Sequence, residues 1–141
     1  MAIDITGLDG LIDKLQKMAD PAAMDRIATK AVDAAQPISE QAMRSAIASA
    51  EAGWPNARGE IAASVQSTKA KVNSYGAYAV ARPVGRNKDG RRYGELAAYL
   101  QYGTGRGARQ PHPWREKAVA AAEKKCVEAM EQVIKKELGG E

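Results

Sequence analysis

The sequence predicts an α+β single domain over residues 1–141, with two N-terminal helices, a small mostly antiparallel sheet built on a central hairpin, and a long C-terminal helix. Three observations predict this class. Apolar residues recur with helical spacing near both ends of the chain, strand-like runs flank one turn in its middle, and no repeat or linker divides it. A chain of 141 residues is long enough to bury one hydrophobic core.

Two helices are predicted before residue 51. The apolar residues of the first share one helical face: Leu8, Leu11, Ile12 and Leu15. This helix should end near Asp20-Pro21, because a residue before proline avoids helical angles. The second helix, over Ala22–Ala50, has an apolar stripe made mainly of alanine. Pro37 lies inside it and lacks a backbone donor, so we expect a kink or a break there.

A hairpin is predicted in the middle of the chain. The strand-like runs are Val65–Val72 and Tyr75–Val84, and the turn-forming sequence Asn73-Ser74-Tyr75-Gly76 joins them. Pro83 should mark the end of the second strand. Glu51–Gly59 is predicted to be a loop because it contains two glycines and a proline.

The C-terminal part contains one ambiguous segment and one clear helix. Leu96–Tyr102 is apolar but too short for periodicity to separate a strand from a helical turn. Pro113 is suited to the first position of the last helix, which would span roughly 39 Å as far as Leu138. Its expected buried stripe is Val119, Ala122, Cys126, Met130, Val133 or Ile134, and Leu138.

Positive charge is concentrated in the middle of the chain. Residues 1–57 carry a net charge of −3, residues 58–117 carry +8 and residues 118–141 carry −1. This region could face DNA phosphates or an acidic partner, or it could be a solvated face. The candidate contact residues are Arg82, Arg86, Lys88, Arg91, Arg92 and Arg106. Gly85–Gly94 contains most of them and is predicted to be a mobile loop.

The sequence offers little that could support catalysis, so no catalytic residue, metal ligand or cofactor is expected. His112 is the only histidine and Cys126 the only cysteine, and about four helical turns would separate them. We expect His112, between two prolines, to cap the following helix or touch a partner. The glycines of Gly103–Gly107 lack the lysine of a phosphate-binding loop. No apolar run reaches the roughly 18 residues of a membrane span, which predicts a protein made in the cytoplasm.

Three stretches together resemble a family of phage and prophage minor tail components. The first is Ile5-Thr6-Gly7-Leu8-Asp9, and the second is Gly59-Glu60-Ile61-Ala62-Ala63-Ser64-Val65, similar to the family's T-G-x-L-x-x-S-I. The third and most specific is Tyr99-Leu100-Gln101-Tyr102-Gly103-Thr104 followed by Gln110-Pro111-His112-Pro113-Trp114. It is similar to the family's F-V-E-Y-G-T and Q-P-A-R-P-F. The departures are Arg58, Gln101, His112 and Trp114, which replace threonine, glutamate, arginine and phenylalanine.

The resemblance implies a structural virion protein without enzymatic activity. Such a protein acts in head–tail joining or tail completion, in contact with other neck or tail proteins and as a homo-oligomeric ring through which DNA passes. It would be located in the virion and, during assembly, in the host cytoplasm, with no membrane partner. The loops 51–58 and 85–94 would become ordered on assembly. The alternative is a DNA-binding protein that uses the basic central region without sequence preference.

The third stretch also supplies the residues expected to determine the fold or the assembly. They are Tyr102, Gly103, Thr104, Arg109, Pro111, Pro113 and Trp114. Gly103 and Gly105 permit positive backbone angles at a reversal, and the prolines stiffen the exit from it. Trp114 should then pin the last helix onto the sheet by burying about 150 to 250 Å².

Overall fold

A computed structural model describes residues 8–55, 58–105 and 109–139, and within them it confirms the α+β class. Five helices and four short strands occur in this part of the chain. In order they are α1 Leu8–Ala19, α2 Pro21–Glu51, α3 Glu60–Ala63, β1 Val65–Ser67, β2 Lys71–Asn73, β3 Gly76–Tyr78, β4 Ala81–Pro83, α4 Tyr93–Tyr102 and α5 Arg115–Glu137. Residues 5–7 of the first resembling stretch lie outside the described residues.

The boundary between α1 and α2 is confirmed, and of the kink or break expected at Pro37 the break does not occur. The Asp20 carboxylate accepts a hydrogen bond from the Ala22 amide at 3.1 Å, and Pro21 is the first helical residue. α2 is 31 residues long and runs through Pro37 to Glu51 without interruption. Pro37 has no N–H group, so the Asp33 carbonyl lacks the helical hydrogen bond that it would normally accept. Both residues are exposed, and water can replace the missing bond.

Small side chains bring α2 and α5 together, and these two helices share the most extensive packing in the described fold. The buried apolar residues of these helices that lie outside the main core are Ala23, Ile27, Ala31 and Ala35 of α2, and Ala118 and Ala122 of α5. Cys126 is half-buried, and its Sγ lies 3.3 Å from Ser39 Oγ. Val119 was expected in this stripe but is 60% exposed, because the face of α5 follows the series Trp114, Ala118 and Ala122.

The predicted hairpin and its turn are confirmed. β1 pairs with β4 and β2 with β3, both antiparallel, with Val65 opposite Pro83 and Asn73 opposite Gly76. Between the two ladders, residues 68–70 face residues 79–80, so the first arm has one extra residue, as in a β-bulge. The Thr68 amide donates to the Val80 carbonyl there at 2.9 Å. Pro83 ends β4, as predicted.

The main core lies at one end of the α2–α5 pair. Its fully buried side chains are Ile47 of α2, Val65 of β1 and Leu100 of α4. Around them pack Ala50, Ile61, Ala62, Ala97 and Trp114. Leu96–Tyr102, whose periodicity could not separate a strand from a helical turn, belongs to helix α4. Its buried apolar residues Ala97 and Leu100 lie one helical turn apart on the same face.

The segment predicted as a mobile loop at residues 85–94 is instead a hydrogen-bonded turn followed by the start of α4. Asn87 Oδ1 accepts from the amides of Asp89 and Arg91 at 3.0 and 2.9 Å. The Asn87 amide donates to the Arg91 carbonyl, and the Arg86 guanidinium donates to the Gly90 carbonyl at 2.7 Å. The sequence has few apolar residues here, which suggested a mobile loop. The turn is ordered by an asparagine side chain instead.

Candidate functional site

The junction between α4 and α5, residues 99–114, is organised by one buried amide. Gln101 is 5% exposed, and its Oε1 accepts hydrogen bonds from the amides of Trp114 and Arg115, both at 2.9 Å. Its Nε2 donates to both carboxylate oxygens of Glu116, at 3.1 and 3.0 Å. The first amides of a helix have no partner within the helix, so Gln101 caps α5 from α4.

Trp114 is the apolar anchor of the same junction. It is 4% exposed, and its indole Nε1 donates to the Ala97 carbonyl at 2.8 Å. An anchoring role is therefore observed: the indole binds α4, and Trp114 belongs to the same buried core as Val65 of β1. Helix α5 begins at Arg115, two residues after Pro113, because Gln101 holds the Trp114 amide at the cap position. The prediction of Pro113 as the first helical residue is wrong.

Gly103 makes the sharp reversal after α4 possible. Its φ is 77° and its ψ 177°, a conformation almost restricted to glycine. A Cβ at this position would lie 2.7 Å from the Arg109 carbonyl oxygen, closer than real contacts allow. The Thr104 amide donates to that same carbonyl at 3.3 Å. Gly105 does not share the positive φ, so the expectation that both glycines adopt it is wrong for Gly105.

The remaining predicted residues of this stretch differ in exposure. Tyr102 is 67% exposed, and the guanidinium of Arg115 lies 5.8 Å from the centre of its ring. The same guanidinium donates to the Tyr102 hydroxyl at 3.3 Å. Pro111 and Pro113 are exposed on either side of the half-buried residue 112.

Two further contacts join residues 99–114 to the segment that follows α2. The guanidinium of Arg109 lies 4.8 Å from the centre of the Trp54 ring. The imidazole of His112 lies against Gly53, where a Cβ would come within 2.8 Å of His112 Cε1. His112 therefore packs against another element, and the helix that follows is capped by Gln101 instead.

The structure divides the predicted basic residues between two surfaces. Arg82, Arg86 and Arg92 line an open depression together with Arg115. Lys88 and Arg91 line a separate cavity, which also contains Arg58 and Arg109. Arg106 lies outside the described residues.

Sequence reasoning missed the roles of three residues. Gln101 is the only amide or charged residue in Leu96–Tyr102. Its isolation in an apolar segment is the feature of the sequence that could have predicted its capping role. Glu51 is 3% exposed and accepts from the Ala62 amide at 2.6 Å, although it was assigned to a loop. Trp54 lies in the segment predicted to be a loop, and it packs against the core.

No cluster of three or more potential metal ligands occurs among residues 8–55, 58–105 and 109–139. The helices of the same described part include none that is long and apolar enough to cross a membrane. Comparisons with protein-family models, curated proteins and solved structures found no match to this chain.

Replacing Gly103 by alanine should destabilise the fold by about 3 kcal/mol, because alanine avoids this backbone conformation and its Cβ would overlap the Arg109 carbonyl. Gly105→Ala is the matched control, since Gly105 has neither a positive φ nor a neighbour within 4 Å of an added Cβ. Urea unfolding monitored by circular dichroism measures both variants. Equal stability of the two variants would contradict the assigned role of Gly103.

The pKa of Glu116 is lowered, mainly by the hydrogen bond from the Gln101 amide. A carboxyl with a lowered folded-state pKa stabilises the fold above its ordinary value of 4.5, and this contribution is lost as the pH falls through the folded value. Gln101→Met removes both hydrogen bonds, so the Glu116 pKa should rise towards 4.5 in an NMR titration.

The same variant should also destabilise the fold by about 1 to 3 kcal/mol at neutral pH, because the buried Trp114 amide loses its acceptor. Gln110→Met, at an exposed position, should leave both the Glu116 pKa and the stability unchanged. A Glu116 pKa that is the same in Gln101→Met and in the unchanged chain would show that Gln101 does not hold this carboxylate.

Proposed function

We propose that this chain is a structural subunit of a tailed phage or prophage particle, acting in head–tail joining or tail completion as a member of a ring. The identity of the particle is supported by the resemblance of the three sequence stretches, above all Tyr99–Trp114. An assembly role is supported by one structural observation, the exposed hairpin made of β1 to β4.

The hairpin presents apolar side chains to the surroundings, and α2 covers part of its first arm, where Arg44 donates to the Val65 carbonyl. Tyr75 at its tip is 97% exposed, and Val72, Tyr78 and Val80 are each more than 40% exposed. Each of the two described sheets has only two strands, so each strand has one edge without a strand partner. Such edges readily pair with another chain, and a two-stranded ribbon has little stability of its own.

The proposed assembly is a ring, as the resemblance implies, and the hairpin offers one surface for its contacts. In a cyclic ring, two different faces of each subunit meet, and the contacts close by rotation. The hairpin would supply one of these faces, and a different surface of the next copy would cover it. Exposed aromatic and β-branched side chains would then be buried only in the assembled particle.

Particles induced from the host should contain this chain, and the double variant Val72→Ser, Tyr75→Ser should be absent from them. Both side chains are exposed, so unfolding measurements should change by less than about 0.5 kcal/mol. Val127→Ser, at a residue 44% exposed on α5, is the control and should enter particles normally. Mass spectrometry of purified particles and of head and tail intermediates measures incorporation. If the unchanged chain is missing from all of these, the particle role is wrong.

A specific observation also favours the alternative, sequence-independent DNA binding. Four arginines, Arg82, Arg86, Arg92 and Arg115, line one open depression, and Glu95 is the only acid among the residues around it. The Arg86 and Arg92 backbones pair with each other as an isolated antiparallel bridge, which holds their side chains on neighbouring positions. Such a cluster can follow phosphates without reading bases.

If the depression binds DNA, affinity for a random-sequence duplex should fall steeply with salt. The double variant Arg86→Gln, Arg92→Gln should reduce the slope of log affinity against log salt by about 2. Fluorescence anisotropy with a labelled duplex measures this, and Arg26→Gln on the exposed side of α2 serves as a control. Lack of affinity at low salt would exclude the DNA-binding alternative and leave the ring proposal intact.

A further inference from the structure

A cavity of about 400 Å³ lies between the end of α2, the turn at residues 85–92 and helix α4. This volume falls within the usual range of small-ligand sites, roughly 300 to 1,000 Å³. Part of its wall is aromatic or aliphatic, and these residues are Trp54, Ile61, Tyr93, Leu96 and Tyr99. The cavity can therefore hold an apolar group as well as a polar one.

Four cationic side chains also line this cavity: Arg58, Lys88, Arg91 and Arg109. The ion pairs found among the described residues include none of the four. Arg109 stacks on Trp54 with its guanidinium 4.8 Å from the ring centre. Stacking occupies the flat face of a guanidinium and leaves its N–H groups available in the plane, where a carboxylate can accept two of them.

Two buried polar atoms of the lining lack a hydrogen-bond partner among the described residues. They are the indole nitrogen Nε1 of Trp54 and the hydroxyl oxygen Oγ1 of Thr104. An indole N–H can only donate, and a hydroxyl can also donate. Both atoms are buried from solvent, so they lie behind the cavity wall and are not available to a ligand in the cavity.

Acidic residues limit what kind of anion can enter. Glu51, Glu60 and Asp89 line the same cavity. Glu51 is held by the Ala62 amide, and the carboxylates of Glu60 and Glu51 add to desolvation in raising the pKa of the Tyr93 hydroxyl. A nucleic-acid backbone carries a charge on every phosphate and would bring several of them near these acids. A single carboxylate brings only one negative charge into a cavity that four cationic and three acidic side chains line.

We propose that this cavity binds one carboxylate of a protein partner, an Asp or Glu side chain that is flanked by an apolar residue. The carboxylate accepts from Arg109, whose guanidinium stacks on Trp54, and the apolar neighbour packs against Tyr93 and Leu96. This binding is a property of the isolated chain, so it can be tested whether or not the proposed particle role is correct.

The two tryptophans provide a built-in readout with an internal control. The chain has only Trp54 and Trp114, so a ¹⁵N-labelled sample gives two indole N–H signals. The Trp114 indole is already bonded to the Ala97 carbonyl, whereas the Trp54 indole has no described acceptor. Titration with the peptide acetyl-Leu-Glu-Leu-amide should shift the Trp54 signal, because the carboxylate binds the guanidinium that stacks on its ring, and should leave the Trp114 signal in place.

One control peptide and three variants make the test decisive. Acetyl-Leu-Gln-Leu-amide should leave both signals unchanged, because it lacks the charge. Arg109→Gln should weaken binding of the acidic peptide about tenfold, the loss expected for one charge-assisted hydrogen-bonded pair. Arg26→Gln, far from the cavity lining, should bind as the unchanged chain does. Amide spectra of Arg109→Gln establish that it is folded, and Arg91→Gln should show a weaker loss in the same direction.

Several results would overturn the proposal. A Trp54 signal that does not move at millimolar acidic peptide, or that moves equally with both peptides, would show that the cavity does not select a carboxylate. A single-stranded oligonucleotide that moves Trp54 more than the peptide does would instead assign the cavity to nucleic acid.

Discussion

The structure depends on the hydrogen bonds of one side-chain amide, that of Gln101. This residue lies on α4, accepts from the first amides of α5 and donates to Glu116, so it joins two helices that are separated by a reversal of the chain. Gly103 makes the reversal possible, and Trp114 fills the space beneath it. Together these residues determine where α5 starts and which of its faces meets α2. The α2–α5 contact consists of small side chains and has little tolerance for a rotated helix.

Local signals in the sequence were sufficient for much of the fold. Pro21 ends the first helix, and the Asn73–Gly76 turn closes the hairpin, each through the backbone preferences of its own residues. Both the helix boundary and the turn are confirmed. The buried face of α5 was predicted with Val119 in place of Ala118 because periodicity alone cannot choose between adjacent stripes. That choice is made by Gln101 and Trp114, which act from outside the helix and across the chain reversal.

The candidate sites were less accessible from the sequence than the helices. Composition showed that the middle of the chain is basic, but it could not show that Arg82 and Arg91 lie on different surfaces. That separation results from the turn organised by Asn87. The cavity beside Trp54 combines residues from α2, the 85–92 turn, α4 and the segment after it. Residues so distant in sequence leave no spacing pattern, so only the folded chain brings the arginines, the indole and the hydroxyl together.

Hydrogen exchange at the start of α5 tests the central claim most directly. The amides of Trp114 and Arg115 belong to the cap of a helix, and amides at this position normally exchange quickly because they lack a helical acceptor. If Gln101 holds α5 in place, both amides should be protected to about the same degree as the amide of Leu100 in the core. Exchange of both at the rate of freely exposed amides would contradict the account.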